Sequence, residues 1–193
     1  FKKNKYCIIK EAIPKDIAEF VYNYFLMKRK VLQTMIQERY ISTFSDEWGK
    51  LEGDDQAPNS YSHYADIAME TLLTRCLPIM EKTTKLKLFP TYSTTLNLGG
   101  DLWPIHLEPK KNVGVADDKK ITNVSNNKGV RVVLKPGDML VYRGNELEHW
   151  REEFLGDHCV QVFLHYNDQK SKNAQQNVND KRVHLGLPSW FRK

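Results

Sequence analysis

The chain has 193 residues, 40% of them hydrophobic and 27% charged, a length and balance that suit one soluble domain. No apolar run approaches the ~18–20 residues of a membrane span, and the basic start Phe1-Lys2-Lys3-Asn4-Lys5 is followed by too short an apolar stretch for a signal peptide. The net charge of +5, from 29 basic and 24 acidic residues, is dispersed and joined to no nucleic-acid-binding motif, so it reads as a solubility feature and argues against a nucleic-acid partner.

In chain order, residues 6–9 form a short β-type run. Pro14 and Asp16 then open a helix, in which Ile17, Phe20, Val21, Tyr24, Phe25, Met27, Val31, Leu32, Met35 and Ile36 recur at three-to-four spacing. Residues 45–60 read as a polar loop. The pattern predicts a second helix starting near residues 60–62, kinked at Pro78 and ending before Leu86. Within its first turn, residues 59–64 read as a capping Ser among packing aromatics or, less simply, as the lining of a substrate groove.

Beyond residue 86 the chain becomes a series of short β-type runs at 86–98, 103–107, 130–134, 139–142 and 159–166, separated by Gly-, Pro- and Asp-containing turns. Residues 110–128 read as a long exposed loop. Residues 168–182 are polar, and 183–190 read as a short segment docked back on the body. Two helices followed by a block of strands predict an α+β fold with helices buttressing a barrel or jelly roll. Three cysteines at wide spacing, Cys7, Cys76 and Cys159, fit neither a disulfide framework nor a zinc site, so reduced thiols and a cytoplasmic setting are expected.

The sharpest local pattern is Pro136-Gly137-Asp138, a turn feeding the run Met139-Leu140-Val141-Tyr142, with His149 seven residues after Tyr142. A His so placed fits either a metal ligand or a strand-end residue hydrogen-bonded to backbone. The run from Pro136 to Asp168 resembles the C-terminal half of the double-stranded β-helix of Fe(II)/2-oxoglutarate-dependent oxygenases. It is closest to their prolyl 4-hydroxylase-like branch, which includes phage-encoded members; in a viral setting the cytoplasm is the host's. Residues 94–101 followed by Trp103-Pro104-Ile105 resemble the strand, turn and strand in the middle of that barrel.

The resemblance implies one oxygenase-like domain over 1–193, with helical support at 10–85, the β-helix (jelly-roll) core at 86–167 and a C-terminal extension at 168–193. It implies Fe(II), 2-oxoglutarate and O₂ as cofactor and co-substrates, with ascorbate as an accessory reductant. His149 matches the distal metal ligand. Such iron is held by two His and one carboxylate, and His106-Leu107-Glu108 is the literal match to the proximal pair, since residues i and i+2 share one face of a strand. By resemblance, however, 103–109 corresponds to the strand after that motif, and the proximal motif belongs between the strands that end at Ser93 and begin at Thr94. We therefore expect a segment carrying the proximal His and carboxylate to be missing between Ser93 and Thr94, with His106 and Glu108 as the fallback.

The family's basic residue for the 2-oxoglutarate carboxylate is absent from its usual place on the last strand. His158, Gln161, Arg151 and Arg143 are the candidates, a guanidinium being the strongest carboxylate partner. On that last strand His165 shares a face with Gln161 and Phe163, and Tyr166 takes the other. The implied function is hydroxylation of a C–H bond in a peptide, protein or small-molecule substrate, with a prolyl residue the first guess. The alternative is a non-catalytic jelly-roll binding or virion-associated protein with a degenerate metal site.

Overall fold

The computed structural model describes residues 1–41, 44–45, 47–53, 59–99, 102–109, 129–156 and 158–188. The elements run β1 (Tyr6–Ile9), α1 (Lys15–Gln37), β2 (Phe44–Ser45), β3 (Gly49–Lys50), β4 (Tyr61–Tyr64), α2 (Ile67–Thr84), β5 (Leu88–Gly99), β6 (Ile105–Pro109), β7 (Val130–Val132), β8 (Met139–Tyr142), β9 (Leu147–Trp150) and β10 (His158–Asp168), followed by a 3₁₀ segment, Ala174–Lys181. The fold is α+β, with antiparallel sheets ordered β10-β5-β4-β3-β2, β7-β6-β9 and β1-β8. Among the described residues these sheets do not close into a barrel, and no helix is long and apolar enough to cross a membrane.

α1 buries Val21, Phe25 and Leu32 against Tyr61 and Met69, with Val160 and Val162 of β10 packed on the same cluster. Its apolar stripe is narrower than the periodicity implied, since Phe20 and Met27 are 59% and 67% exposed. The second helix also starts later than expected. Residues 61–64 form β4, in which Tyr61 and His63 are buried and alternate with Ser62 and Tyr64, the two-residue period of a strand. The helix cap is Asp66, whose Oδ1 accepts from the N–H groups of Ala68 at 3.0 Å and Met69 at 3.3 Å, satisfying first-turn donors.

The other Asp66 oxygen ties α2 to α1. Oδ2 accepts from Lys28 Nζ at 2.6 Å and Tyr24 Oη at 2.8 Å, with His63 alongside. Burial alone would raise the Asp66 carboxyl, but hydrogen bonds from His63, Lys28 and Tyr24 outweigh it and hold the group well below the usual carboxylate range.

The Pro136-Gly137-Asp138 turn clamps the N-terminal segment. Gly137 has φ +88°, and a Cβ there would lie 2.6 Å from the Ile13 carbonyl oxygen, which only glycine avoids. Gly137 O accepts from Ile13 N at 3.0 Å, and the Asp138 carboxylate accepts from Glu11 N, Lys135 N and Lys10 Nζ. β1 and β8 leave this clamp already in register, Ile9 opposite Met139.

β5 is twelve residues long and passes through Ser93 and Thr94 as consecutive ladder positions opposite Leu164 and Phe163. The expected missing segment would therefore interrupt this strand at its middle. Beneath it, Glu70 of α2 accepts from Ser93 N at 2.7 Å, Ser93 Oγ at 2.9 Å, Arg182 Nη2 at 3.1 Å and Gly186 N at 3.2 Å. Arg182 also donates to the carbonyls of Thr91, Asn179 and Leu187. The extension expected to dock through 183–190 is thus fixed chiefly by a buried arginine. Just before it, Asn179, Asp180 and Lys181 all have positive φ, between 50° and 61°.

Two stability outcomes follow. Asp66 has a folded-state pKa below its unfolded value, so its contribution is complete above about pH 4 and is lost as pH falls toward the folded value; Asp66→Asn should flatten the acid limb of stability measured by urea titration. Arg182→Met leaves the Glu70 carboxylate buried without its countercharge and should cost about 3–5 kcal/mol, seen as a lower urea midpoint, whereas Lys87→Met, which removes a solvent-screened surface pair with Glu81, should leave the midpoint near that of the wild type.

Candidate functional site

Because strand side chains alternate, β10 serves two layers. Val160 and Val162 face the helices, while Gln161, Phe163 and His165 face away from them. On that second face β5 adds Tyr92 and Thr94, and β4 adds Ser62. Trp103, Ile105, Tyr142, His149 and Arg151 stand opposite, bordering an open cavity of about 580 Å³ on whose rim His149 is exposed. Sheet order thus gathers side chains from six strands and their ends around one space.

His149 occupies this wall at the end of β9. Its Nδ1 lies 3.2 Å from the Leu147 carbonyl oxygen. A carbonyl can only accept, so Nδ1 carries a proton, and in the neutral ring this leaves the lone pair on Nε2. The edge of the ring meets Tyr142, centroids 5.1 Å apart at 64°. Both readings of this residue, backbone-bonded at a strand end and able to ligate, are therefore compatible in one side chain: backbone bonding of one nitrogen is how metal-binding imidazoles are oriented.

Arg151, two residues on, lines the same cavity. Its guanidinium donates to the Trp103 carbonyl and lies 4.9 Å from the Trp103 ring centroid. Among the described residues it has no carboxylate partner, and no Asp or Glu lines the cavity. Burial pulls its pKa below the ordinary arginine range, the mark of a cation short of solvation. Gln161 contributes an amide whose Oε1 is buried without a hydrogen-bond partner and whose Nε2 meets only the Cys159 sulfur at 3.7 Å. The wall thus offers a bare guanidinium and an unused acceptor, a combination suited to a polar anion that also carries a donor.

The remaining candidates fall elsewhere. Arg143 pairs with Glu146 at 2.5 Å, in a cluster with Lys5 and Phe1, and lies outside the cavity lining. The side chain of His158 lies outside the described residues; its backbone opens β10 opposite Gly99. Tyr166 points to the helix side as alternation implies, donating to Leu73 O at 2.7 Å.

The structure does not bring His106 and Glu108 to His149. In the β6–β9 register Leu107 stands opposite His149, while His106 stands opposite Trp150 and Glu108 opposite Glu148. Directly opposed residues share a face, so His149 projects with Leu107, and His106 and Glu108 project from the other side of the sheet. There His106 stacks on Trp150, centroids 5.3 Å apart at 13°, lies 3.7 Å from Glu152 and lines a separate groove of about 210 Å³. Gly129 packs under the same indole, where a Cβ would come within 2.6 Å of it. Among the described residues no group of three His, Cys, Asp or Glu could hold a metal ion.

One cavity residue received no role from the sequence. His165 is stacked face to face on Tyr92, centroids 4.1 Å apart at 17°, and Tyr92 stacks on Tyr64 at 5.3 Å. Alternation put His165 on the correct face; the stack that holds it joins strands distant in sequence and has no local signature.

No family model, no curated protein and no solved structure matches this chain.

If Arg151 is the anion anchor, Arg151→Gln should weaken binding of a short carboxylate such as glutarate at least tenfold in isothermal titration. Arg151→Lys, which keeps the charge but loses the planar fork, should give an intermediate loss. An unchanged far-UV spectrum would show that the fold survives in both variants.

Proposed function

We propose that the chain carries the scaffold of an Fe(II)- and 2-oxoglutarate-dependent dioxygenase, a double-stranded β-helix whose substrate is a C–H bond of a peptide, protein or small molecule, a prolyl residue being the first to try. The observation that carries this reading is the cavity wall that places His149, with Nε2 free, two residues from the unpaired Arg151. One group suits a metal ion and the other a carboxylate of the co-substrate. The resemblance of the run from Pro136 to Asp168 supports it independently.

The metal does not fit the residues described. Iron of this type needs two His and a carboxylate. Of the three expected ligands only His149 faces the cavity, while His106 and Glu108 lie on the opposite side of their sheet, and among the described residues no group of three His, Cys, Asp or Glu could hold a metal ion. We infer that the missing His and carboxylate belong to the segment expected between Ser93 and Thr94. The chain's own part is then to bind and orient a carboxylate through the Arg151 guanidinium and the N–H donors of the Gln161 amide, to present His149 oriented by the Leu147 carbonyl, and to line the site with aromatic rings.

A second reading has a specific observation in its favour. With His106 and Glu108 turned away, the 193-residue chain is a carboxylate-binding protein without turnover. Two measurements separate the readings. The 193-residue chain with Fe(II) should bind 2-oxoglutarate but release no succinate. The protein isolated from its natural source should exceed 22.6 kDa in intact mass and release succinate. A native mass of 22.6 kDa with no turnover would leave the binding protein.

A further inference from the structure

Resting on the carboxylate-binding part of that reading, we infer that His165 is the second contact of the cavity: it holds the far polar end of a short dicarboxylate whose first carboxylate sits on Arg151. The argument begins with what His165 lacks. Its ring stacks on Tyr92, yet neither ring nitrogen has a hydrogen-bond partner among the described residues, and neither is sealed from solvent. A half-buried imidazole ordinarily bonds at least one nitrogen to the protein. Here the faces of the ring are used for packing and its edge is left for something in the cavity.

The ring is also positioned. Tyr92 holds it, Tyr64 holds Tyr92, and Tyr64 donates its hydroxyl to Asp180 in the C-terminal extension. Arg182, locked to Glu70, lies 5.3 Å from the Tyr64 ring centroid. A stack anchored at its outer end fixes the direction of the imidazole edge before any ligand arrives, which lowers the ordering cost of binding. Burial pulls the His165 pKa down, with Asp180 opposing, so the resting ring is neutral and offers one N–H donor and one acceptor.

The cavity chemistry selects the ligand class. His165 lies on the β10 sheet and Arg151 on the wall opposite; facing sheets stand about 10 Å apart. The lining contains Arg151, two imidazoles, Gln161 and aromatic rings, with no acidic side chain among the described residues. A molecule with a carboxylate at each end and a short carbon spacer is complementary to both walls. A monocarboxylate with the same spacer engages only one.

The test is isothermal titration of the full chain with glutarate, 2-oxoglutarate and pentanoate. His165→Phe keeps the stack on Tyr92 but removes both nitrogens. The wild type should bind glutarate at least tenfold more tightly than pentanoate, and His165→Phe should lose that preference while its pentanoate affinity stays unchanged. Asp180→Asn, which weakens the outer anchor of the stack and removes a charge acting on His165, should reduce the preference partially. Retention of the full preference by His165→Phe overturns the inference and leaves the 2-oxoglutarate reading standing. A His165-dependent preference for glutarate without binding of 2-oxoglutarate supports the inference and overturns that reading. No binding of any of the three by the wild type overturns both.

Discussion

The carboxylate of Glu70 is where three otherwise separate parts of the chain meet. It sits inside α2, reaches the middle of β5 through both the backbone and the side chain of Ser93, and captures the C-terminal extension through Arg182 and Gly186. A charge this deeply buried is tolerable only when paired and fully hydrogen-bonded, and Glu70 meets both conditions with groups that no local sequence pattern would have brought together. The pairing makes helix, strand and extension depend on one another. From that junction the position of Tyr92, one residue before Ser93, and hence of the cavity wall, follows.

The cavity is chemically one-sided. Among the described residues its polar groups are a cation, two imidazoles, an amide and several hydroxyls, set among aromatic rings. Carboxylates are numerous elsewhere: Asp138 clamps the N-terminal segment, Asp66 caps α2, and Glu146 is shared by Arg143 and Lys5. Among the described residues the acids hold the elements together, and none of them lines the space between the sheets. This separation leaves Arg151 available to a ligand where an ordinary surface arginine would be neutralised by a neighbour.

Much of this arrangement was legible in the sequence. The Pro136-Gly137-Asp138 turn announced itself by composition, and alternation alone put His165 with Gln161 and Phe163. His149 was found through its distance from that turn. What could not be read depended on pairing between distant segments. Tyr61–Tyr64 looked like a helix start because its Ser and aromatic residues suit a capping region, and it became a strand because β5 was available beside it. Arg143 and Arg151 were equal candidates by sequence, and only the neighbours supplied by Glu146 and Lys5 on one side, and by Trp103 on the other, tell them apart. Arg182 looked like one more residue in a polar tail, since its partner lies more than a hundred positions away.

The stacking of Trp150 between His106 and Gly129 carries a meaning beyond local packing. A slip of one residue in the pairing of β6 would turn His106 and Glu108 toward the space occupied by His149, because every side chain on a strand changes side when its register moves by one. The indole, stacked on His106 and with no room between it and Gly129 for even a methyl group, fits the observed register closely. One tryptophan, by fixing how β6 lies against β9, thereby decides which side chains of β6 share a face with His149.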